Sequence, residues 1–296
     1  MPNDYWWQND PERLEREWAN ANYSLRAVAK KHNTDHSTIA KWLDKHGLRA
    51  PRPTNDRFVF KHMEECRVSG DWMITSDWHM PIVDYGLVDR MISDAKRLGI
   101  KKLIVAGDWF NFDALSDYFP KQQDAGFPVE LQDSNRLMDY LLNWFDEIVL
   151  TLANHDIRIT KQLGYKLRFD HSMRVCFYDI DPKRMNKITI TNRDYVLVDT
   201  PKGVWRICHT NNYSKTQLAY PSKLAEKYRQ HVAAGHRHHH AIGFSVSGYN
   251  VLELGGLFDA SRTEYLSRWS NDFPIWQQGY SALIGGKVYC PMLSLC

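Results

Sequence analysis

Five short segments of this chain each close an apolar run with His, Asp or Asn: Asp77-Trp78-His79, Gly107-Asp108, Asn154-His155-Asp156, His209 and Gly235-His236-Arg237-His238. Polar groups placed again and again at the ends of buried runs demand that several elements finish at one place. Seven of them, Asp77, His79, Asp108, Asn154, His209, His236 and His238, offer oxygen and imidazole donors with no thiolate. That donor set suits two adjacent divalent cations, Mn²⁺ before Fe, Zn²⁺ or Mg²⁺. Cations about 3.5–4 Å apart commonly serve displacement at phosphorus. Any one of these residues alone is more often a satisfied structural group. The ordered set of seven points to a metal centre.

At 296 residues the chain has room for one large domain and one small one. A net charge of only +3 gives no overall polybasic character, so any nucleic-acid signal has to be local. Five cysteines, at 66, 176, 208, 290 and 296, form an odd set without paired spacing. They read as reduced thiols of a cytoplasmic protein. Met1 to Asp10 lacks an apolar leader, and no stretch approaches the roughly 18 apolar residues of a membrane helix. No membrane association is expected.

The chain divides near residue 55: residues 1–50 form a small all-helical domain, 51–69 a linker and 70–296 the large domain. A first helix runs through Glu12, Leu14, Trp18 and Ala19. Ser24 caps a second over Leu25 to Lys31, Asn33 suits a left-handed turn residue, and Asp35 caps a third from His36 to His46, which Gly47 ends. Two short helices joined by such a turn describe a helix-turn-helix. Ile39, Trp42 and Leu43 share one buried face, leaving His36, Ser37, Thr38, Lys41 and Lys45 as candidate contacts to a DNA groove. From Ser24 to Arg52, seven Lys/Arg face two Asp, a net +5. The stretch Ser37 to Leu43 resembles the helix-turn-helix domains of resolvases, transposases and phage regulators. The same trihelical pattern also suits protein docking or oligomerisation, and a homodimer is compatible with it. Pro51-Arg52-Pro53 stiffens the linker.

From residue 70 the pattern is strand, turn, helix, repeated. Strands at 72–76, 103–106 and 148–152 deliver Asp77 and His79, Asp108, and Asn154 with His155. Helices are expected at 85–98 and 131–145, with an irregular lid over 113–129. The second half carries strands at 187–191, 195–198, 204–209, 241–246, 249–254 and 281–288. A helix near 214–230 carries Pro221, expected to kink or split it. Alternating strands and helices give an α/β domain with its ligands at the carboxyl ends of the strands.

The order and spacing of these motifs resemble the calcineurin-like metallophosphoesterases over residues 71 to about 290. The resemblance implies a β-sandwich flanked by helices with a dinuclear centre at one edge. By position, Asp77, His79 and His238 would hold one metal, Asn154, His209 and His236 the other, and Asp108 would bridge them. His155 would be the catalytic histidine that protonates the leaving oxygen. The residue types make sense on their own terms. A shared carboxylate offsets cation repulsion, a neutral Asn leaves the cluster positive enough for phosphate, and a histidine can act as general acid.

Departures from the family pattern narrow the reading. Ala153 stands where glycine is usual, and Cys208 precedes His209 where glycine is common. Cys208 therefore lies near the metals, as an oxidation-sensitive thiol or a plain buried one. Asn111 and Phe112 replace an acid and an arginine of the protein phosphatases, which argues against a phosphoprotein substrate. Asn111 or Asp156 is then expected to orient His155. His239 and His240 extend the motif as bystanders.

Between Ile157 and Lys187, eight Lys/Arg face three Asp, again a net +5, interleaved with Tyr165, Phe169, His171, Phe177 and Tyr178. Such mixtures suit a phosphate backbone with stackable bases, and Trp78 and Trp109, beside metal ligands, could wall the pocket or stack on a base. An ordinary solvated helical excursion and core aromatics explain the same residues. The leading expectation is a metal-dependent phosphodiesterase or nuclease, targeted to DNA by the helix-turn-helix, of the sort phages and mobile elements encode. The alternatives are a phosphodiesterase of cyclic or 2′,3′-cyclic nucleotides, and a DNA-binding regulator with a degenerate sensor domain.

Overall fold

The computed structural model describes residues 9–48, 65–116, 126–212, 214–262 and 276–291. The chain forms two compact units, residues 1–62 and 63–296. In the first, α1 (Pro11–Asn20), α2 (Leu25–Lys31) and α3 (His36–Lys45) close on a core of Leu14, Val28, Ala29, Ile39 and Leu43. The caps are as the sequence reads. Ser24 Oγ accepts from Ala27 N at 3.3 Å, and Asp35 Oδ1 accepts from Ser37 N at 2.7 Å. Asn33 turns the chain at φ 48°, and Gly47 follows α3 at φ 65°. Trp42 departs from expectation. It is only half-buried, its ring stacked on His46 and covered by the Lys45 ammonium at 4.1 Å.

The second unit holds two six-stranded mixed sheets among its described residues. One has the order β12 (Lys287–Tyr289), β11 (Ser281–Ile284), β2 (Trp72–Thr75), β3 (Lys102–Val105), β4 (Glu147–Leu150), β5 (Ile188–Ile190). The other runs β1 (Arg67–Ser69), β6 (Tyr195–Thr200), β7 (Gly203–His209), β8 (His231–Gly235), β10 (Asn250–Leu254), β9 (His240–Phe244). Side-chain alternation along the strands builds a sandwich. Trp72, Ile74, Ile104 and Val149 of the first sheet meet Val196, Trp205, Ile207 and Leu252 of the second in one core. The opposite faces of β2, β3 and β4 send Met73, Leu103, Val105, Ile148 and Leu150 under α4 (Tyr85–Leu98), α5 (Gly126–Leu141) and α7 (Phe169–Cys176). The second sheet is covered by α9 (Ala219–Tyr228), through Ala225 on Cys208, Val232 and Val251. This is the helix-flanked sandwich the resemblance implies.

Several expectations need correcting. Arg67–Ser69, read as the end of a linker, pairs in parallel with Leu197–Asp199 as an edge strand. A strand at His231–Gly235 adds to those expected from the sequence; its Val-Ala-Ala-Gly run is short and flanked by His231 and His236. The single strand at 281–288 is a hairpin, turned by Gly285 and Gly286, both at positive φ. Pro221 kinks nothing, because it sits in the first turn of α9, where a missing N–H costs no helical bond. The helix expected at 131–145 begins at Gly126, so part of the expected lid is helical. Residues 117–125 of that lid, like most of the linker, lie outside the described residues. Among the described residues, no helix is long and apolar enough to cross a membrane, and Cys66, Cys176, Cys208 and Cys290 are free.

Candidate metal centre

Each motif leaves its strand at a carboxyl end. Asp77 and His79 follow β2, Asp108 follows β3, Asn154 and His155 follow β4, His209 ends β7, and His236 and His238 follow β8. Five of these side chains hang from left-handed backbone: Asp77 (φ 52°), His79 (47°), Asp108 (50°), His236 (89°) and His238 (57°). For non-glycine residues this costs about 1–3 kcal/mol each, and such strain gathers at sites where geometry has a purpose.

Two glycines make the close approach possible. A Cβ on Gly107, itself at φ 74°, would fall 2.3 Å from Ala153 Cβ and 2.9 Å from the His209 ring. Ala153 is thus accommodated because Gly107 is bare. A Cβ on Gly235 would fall 1.8 Å from Ser76 Oγ and 3.0 Å from Asp77 Oδ2. Gly235→Ala is expected to cost about 1–3 kcal/mol by overpacking. It should lower the thermal midpoint by several degrees and displace Asp77, which calorimetry and metal content check.

The donor atoms converge in three groups: Asp77, His79 and His238; His79, Asp108 and His155; and Asp108, His209 and His236. Asn154 joins through Oδ1, 2.9 Å from His209 Nε2. His238 Nε2 lies 3.1 Å from Asp77 Oδ1 and 3.3 Å from His79 Nε2, and His209 Nε2 lies 3.2 Å from Asp108 Oδ2. Ligands of one cation with bonds near 2.1 Å stand about 3–3.5 Å apart, so these separations fit a shared metal.

Hydrogen bonding fits too. His209 Nδ1 is 2.9 Å from the Ala106 carbonyl and His79 Nδ1 is 3.2 Å from Asn111 Oδ1, which directs each Nε2 lone pair into the cluster. Asp77 Oδ1 is buried without a hydrogen-bond partner among the described residues. A buried carboxylate oxygen left without a hydrogen bond beside imidazole nitrogens is an arrangement a cation satisfies. Burial alone would raise both carboxyls. His238 and His79 instead hold Asp77 well below the ordinary range, and His209, His155 and His79 do the same for Asp108.

His155 is not oriented by either side chain expected to do so. Its Nδ1 lies 2.8 Å from the Asn111 backbone carbonyl, and its own N–H donates to Asp108 Oδ1 at 2.9 Å. The Asn111 side chain serves His79 instead. Asp156 accepts from the N–H groups of Trp109 and Phe110, and Glu130 Oε1 accepts from those of Asn111 and Phe112. Burial pushes these two carboxyls up, to about 7 and about 8. Both brace the loop that carries Asp108 and the His155 acceptor. Arg158 donates to the same Asn111 carbonyl at 2.7 Å and to Asp113 Oδ1 at 3.2 Å, with its other terminal nitrogen 3.5 Å from His155 Nε2.

Sequence reading missed these roles of Glu130 and Arg158. Arg158 gave one signal, its place a turn beyond the Asn-His-Asp motif; Glu130 gave none. It missed as well the aromatic wall of Phe258 and Trp276, whose rings sit 4.7 Å from His238.

Trp78 and Trp109 cannot stack on a base. Both are fully buried, 4.9 Å apart, with their indole N–H groups on Thr75 and Ser134. Phe169 and Phe177 are core residues, whereas Tyr165 and Tyr178 are exposed. His239 and His240 are buried against Glu253 and Ser281 and join none of the donor groups. The Cys208 thiol is buried, pushed up to about 12, so it is a poor target for oxidation. In the first unit, His36, Ser37, Lys41 and Lys45 are exposed and Thr38 is half-buried.

No protein-family model matches the chain, and no characterised protein matches its sequence. Solved structures resemble it weakly. Vps29 of Entamoeba histolytica, complexed with Zn²⁺, is 10% identical over 74% of this chain and 96% of its own, with a TM-score of 0.38. YfcE, a phosphoesterase from E. coli, is 10% identical over 72% and 87%, with a TM-score of 0.34. A 5′-nucleotidase from Candida albicans is 12% identical over 66% and 47%, with a TM-score of 0.32.

Proposed function

We propose that this protein is a metal-dependent phosphoesterase that hydrolyses phosphodiester bonds of nucleic acid, with its N-terminal helices acting as a DNA-binding helix-turn-helix. The observation that carries the enzymatic reading is the convergence of seven oxygen and imidazole donors in linked groups, one of which holds the unsatisfied buried Asp77 Oδ1. Asp77, His79 and His238 would hold one divalent cation and Asn154, His209 and His236 a second, with Asp108 shared; Mn²⁺ is the first choice. When bound, such cations supply Lewis acidity toward a phosphoryl oxygen and a water acidic enough to attack at neutral pH. His155 delivers a proton to the leaving oxygen from Nε2. Arg158, held by Asn111 and Asp113, steadies a phosphoryl oxygen beside it.

Support for a polymeric substrate is the exposed His36, Ser37, Lys41 and Lys45 along the start and outer side of α3. The segment 157–187 supports it less than its composition suggests. Arg158, Arg168, Arg184 and Lys187 are ion-paired, and Arg174 donates to the Ile188 carbonyl. The Phe258–Trp276 wall beside His238 favours a second reading, a phosphodiesterase of small cyclic nucleotides.

A Lys41→Ala/Lys45→Ala variant separates the two. On the polymer reading, duplex cleavage weakens and its salt slope falls by up to about 1.8, given about 0.9 per phosphate contact. Hydrolysis of bis-p-nitrophenyl phosphate and 2′,3′-cyclic AMP stays unchanged. Undiminished duplex cleavage, or turnover of the small diesters alone, contradicts DNA targeting.

A further inference from the structure

Arg206 is a cation in β7 that the reaction does not use, and it is only 8% exposed. Its neighbours Trp205 and Ile207 point into the core between the sheets, so Arg206 faces the α9 side, as Cys208 does. Its guanidinium carbon lies 3.8 Å from the Tyr195 ring centroid and 3.9 Å from that of Tyr228. The two rings stack on the guanidinium and hold its plane, leaving the edge to make hydrogen bonds. Among the described residues, that edge makes one long bond, Nε to Gln230 Oε1 at 3.4 Å, and no carboxylate lies within ion-pair distance. With both ring faces covered, the guanidinium can take a further partner only along its edge.

The edge borders a cavity of about 200 Å³ at the end of β7, lined also by Asn211, Asn212, Tyr220 and Lys227. Asp194 is an exposed carboxylate on its border, so the fixed charges are two cations against one anion. His209 borders it as well, with its ring nitrogens engaged at Ala106 and Asp108. We propose that this cavity is an anion site adjoining the metal centre, which takes one phosphate group on the guanidinium edge of Arg206. A planar fork matches phosphate oxygens pairwise, and Lys227 and the Tyr220 hydroxyl add donors of suitable chemistry. The phosphate can be a flanking group of a polynucleotide or free inorganic phosphate.

The test uses full-length protein treated with EDTA, so that it stands apart from the metal-dependent reading. Thermal unfolding is followed against inorganic phosphate. Wild-type protein should be stabilised, by an amount that rises with the logarithm of phosphate concentration above the dissociation constant. Arg206→Lys, which keeps the charge and loses the fork, should need at least tenfold more phosphate, and the milder Lys227→Gln several-fold more. Lys166→Gln, which removes an exposed cation, should match wild type. No stabilisation of wild type, or an equal response in Arg206→Lys, overturns the site; so does loss of the response in Lys166→Gln alone.

With Mn²⁺ restored, the source can be read. A fall in kcat/KM of Arg206→Lys on a short oligonucleotide, but not on bis-p-nitrophenyl phosphate, assigns the site to a flanking phosphate. Unchanged rates on both substrates, with phosphate binding lost, assign it to free phosphate.

Discussion

Asp108→Asn is expected to reduce phosphodiester turnover by about 10³-fold or more and to lower the bound metal per chain, with the fold retained. The substitution keeps the size of the side chain and an oxygen able to accept from His155 N–H, so it removes charge and little else. That charge is central. Asp108 contributes to two of the three donor groups, with Oδ2 3.2 Å from His209 Nε2 and 4.0 Å from His79 Nε2. Without it, two cations would face one another across a neutral amide, and their repulsion would lower the affinity of at least one. Metal analysis and circular dichroism alongside kinetics distinguish this from misfolding. A fully active Asp108→Asn protein would place the reaction somewhere else.

His155→Asn should lose roughly 10²–10⁴-fold in kcat, the span of a general acid, while the bound metal stays. The tautomer explains the expectation. A carbonyl accepts only, so Nδ1–H must donate to Asn111 and Nε2 is the nitrogen left facing the cluster. Burial drives the ring's pKa down to about 3, against the pull of Asp108. As the proposed acid, Nε2 would deliver a proton only once an anionic phosphoryl group beside it restores the imidazolium. His155 also falls in one donor group with His79 and Asp108. Metal lost in His155→Asn, in step with activity, would make it a ligand and end its role as an acid.

The donor residues were legible because strand ends are legible. An apolar run of four or five residues closing on Asp-x-His or Asn-His announces itself locally, and the three motifs after β2, β3 and β4 need only that. The supports around them were not. Glu130 reaches the loop at 109–112 from a helix that begins in a stretch without apolar periodicity, and Trp276 reaches His238 from nearly 40 residues away. Backbone acceptors leave no trace in a sequence, so the Asn111 carbonyl could not be told from its side chain as the partner of His155. The two tryptophans beside the ligands misled for a related reason. Position next to a metal ligand does not say which face of the chain a ring takes, and both went to the core, where Thr75 and Ser134 satisfy their N–H groups. The helical unit was the easier part, because Ser24, Asn33, Asp35 and Gly47 mark its turns one by one. What α3 binds is a question of partners, which caps do not address.

The most direct measurement is hydrolysis of bis-p-nitrophenyl phosphate by EDTA-treated protein, before and after adding Mn²⁺, with Asp108→Asn alongside. Activity that is absent after EDTA, returns with Mn²⁺ and stays absent in the variant is the expected result. Equal turnover with and without EDTA, or folded protein inert with Mn²⁺, Zn²⁺, Fe²⁺ and Mg²⁺ alike, would contradict a metal-dependent phosphoesterase.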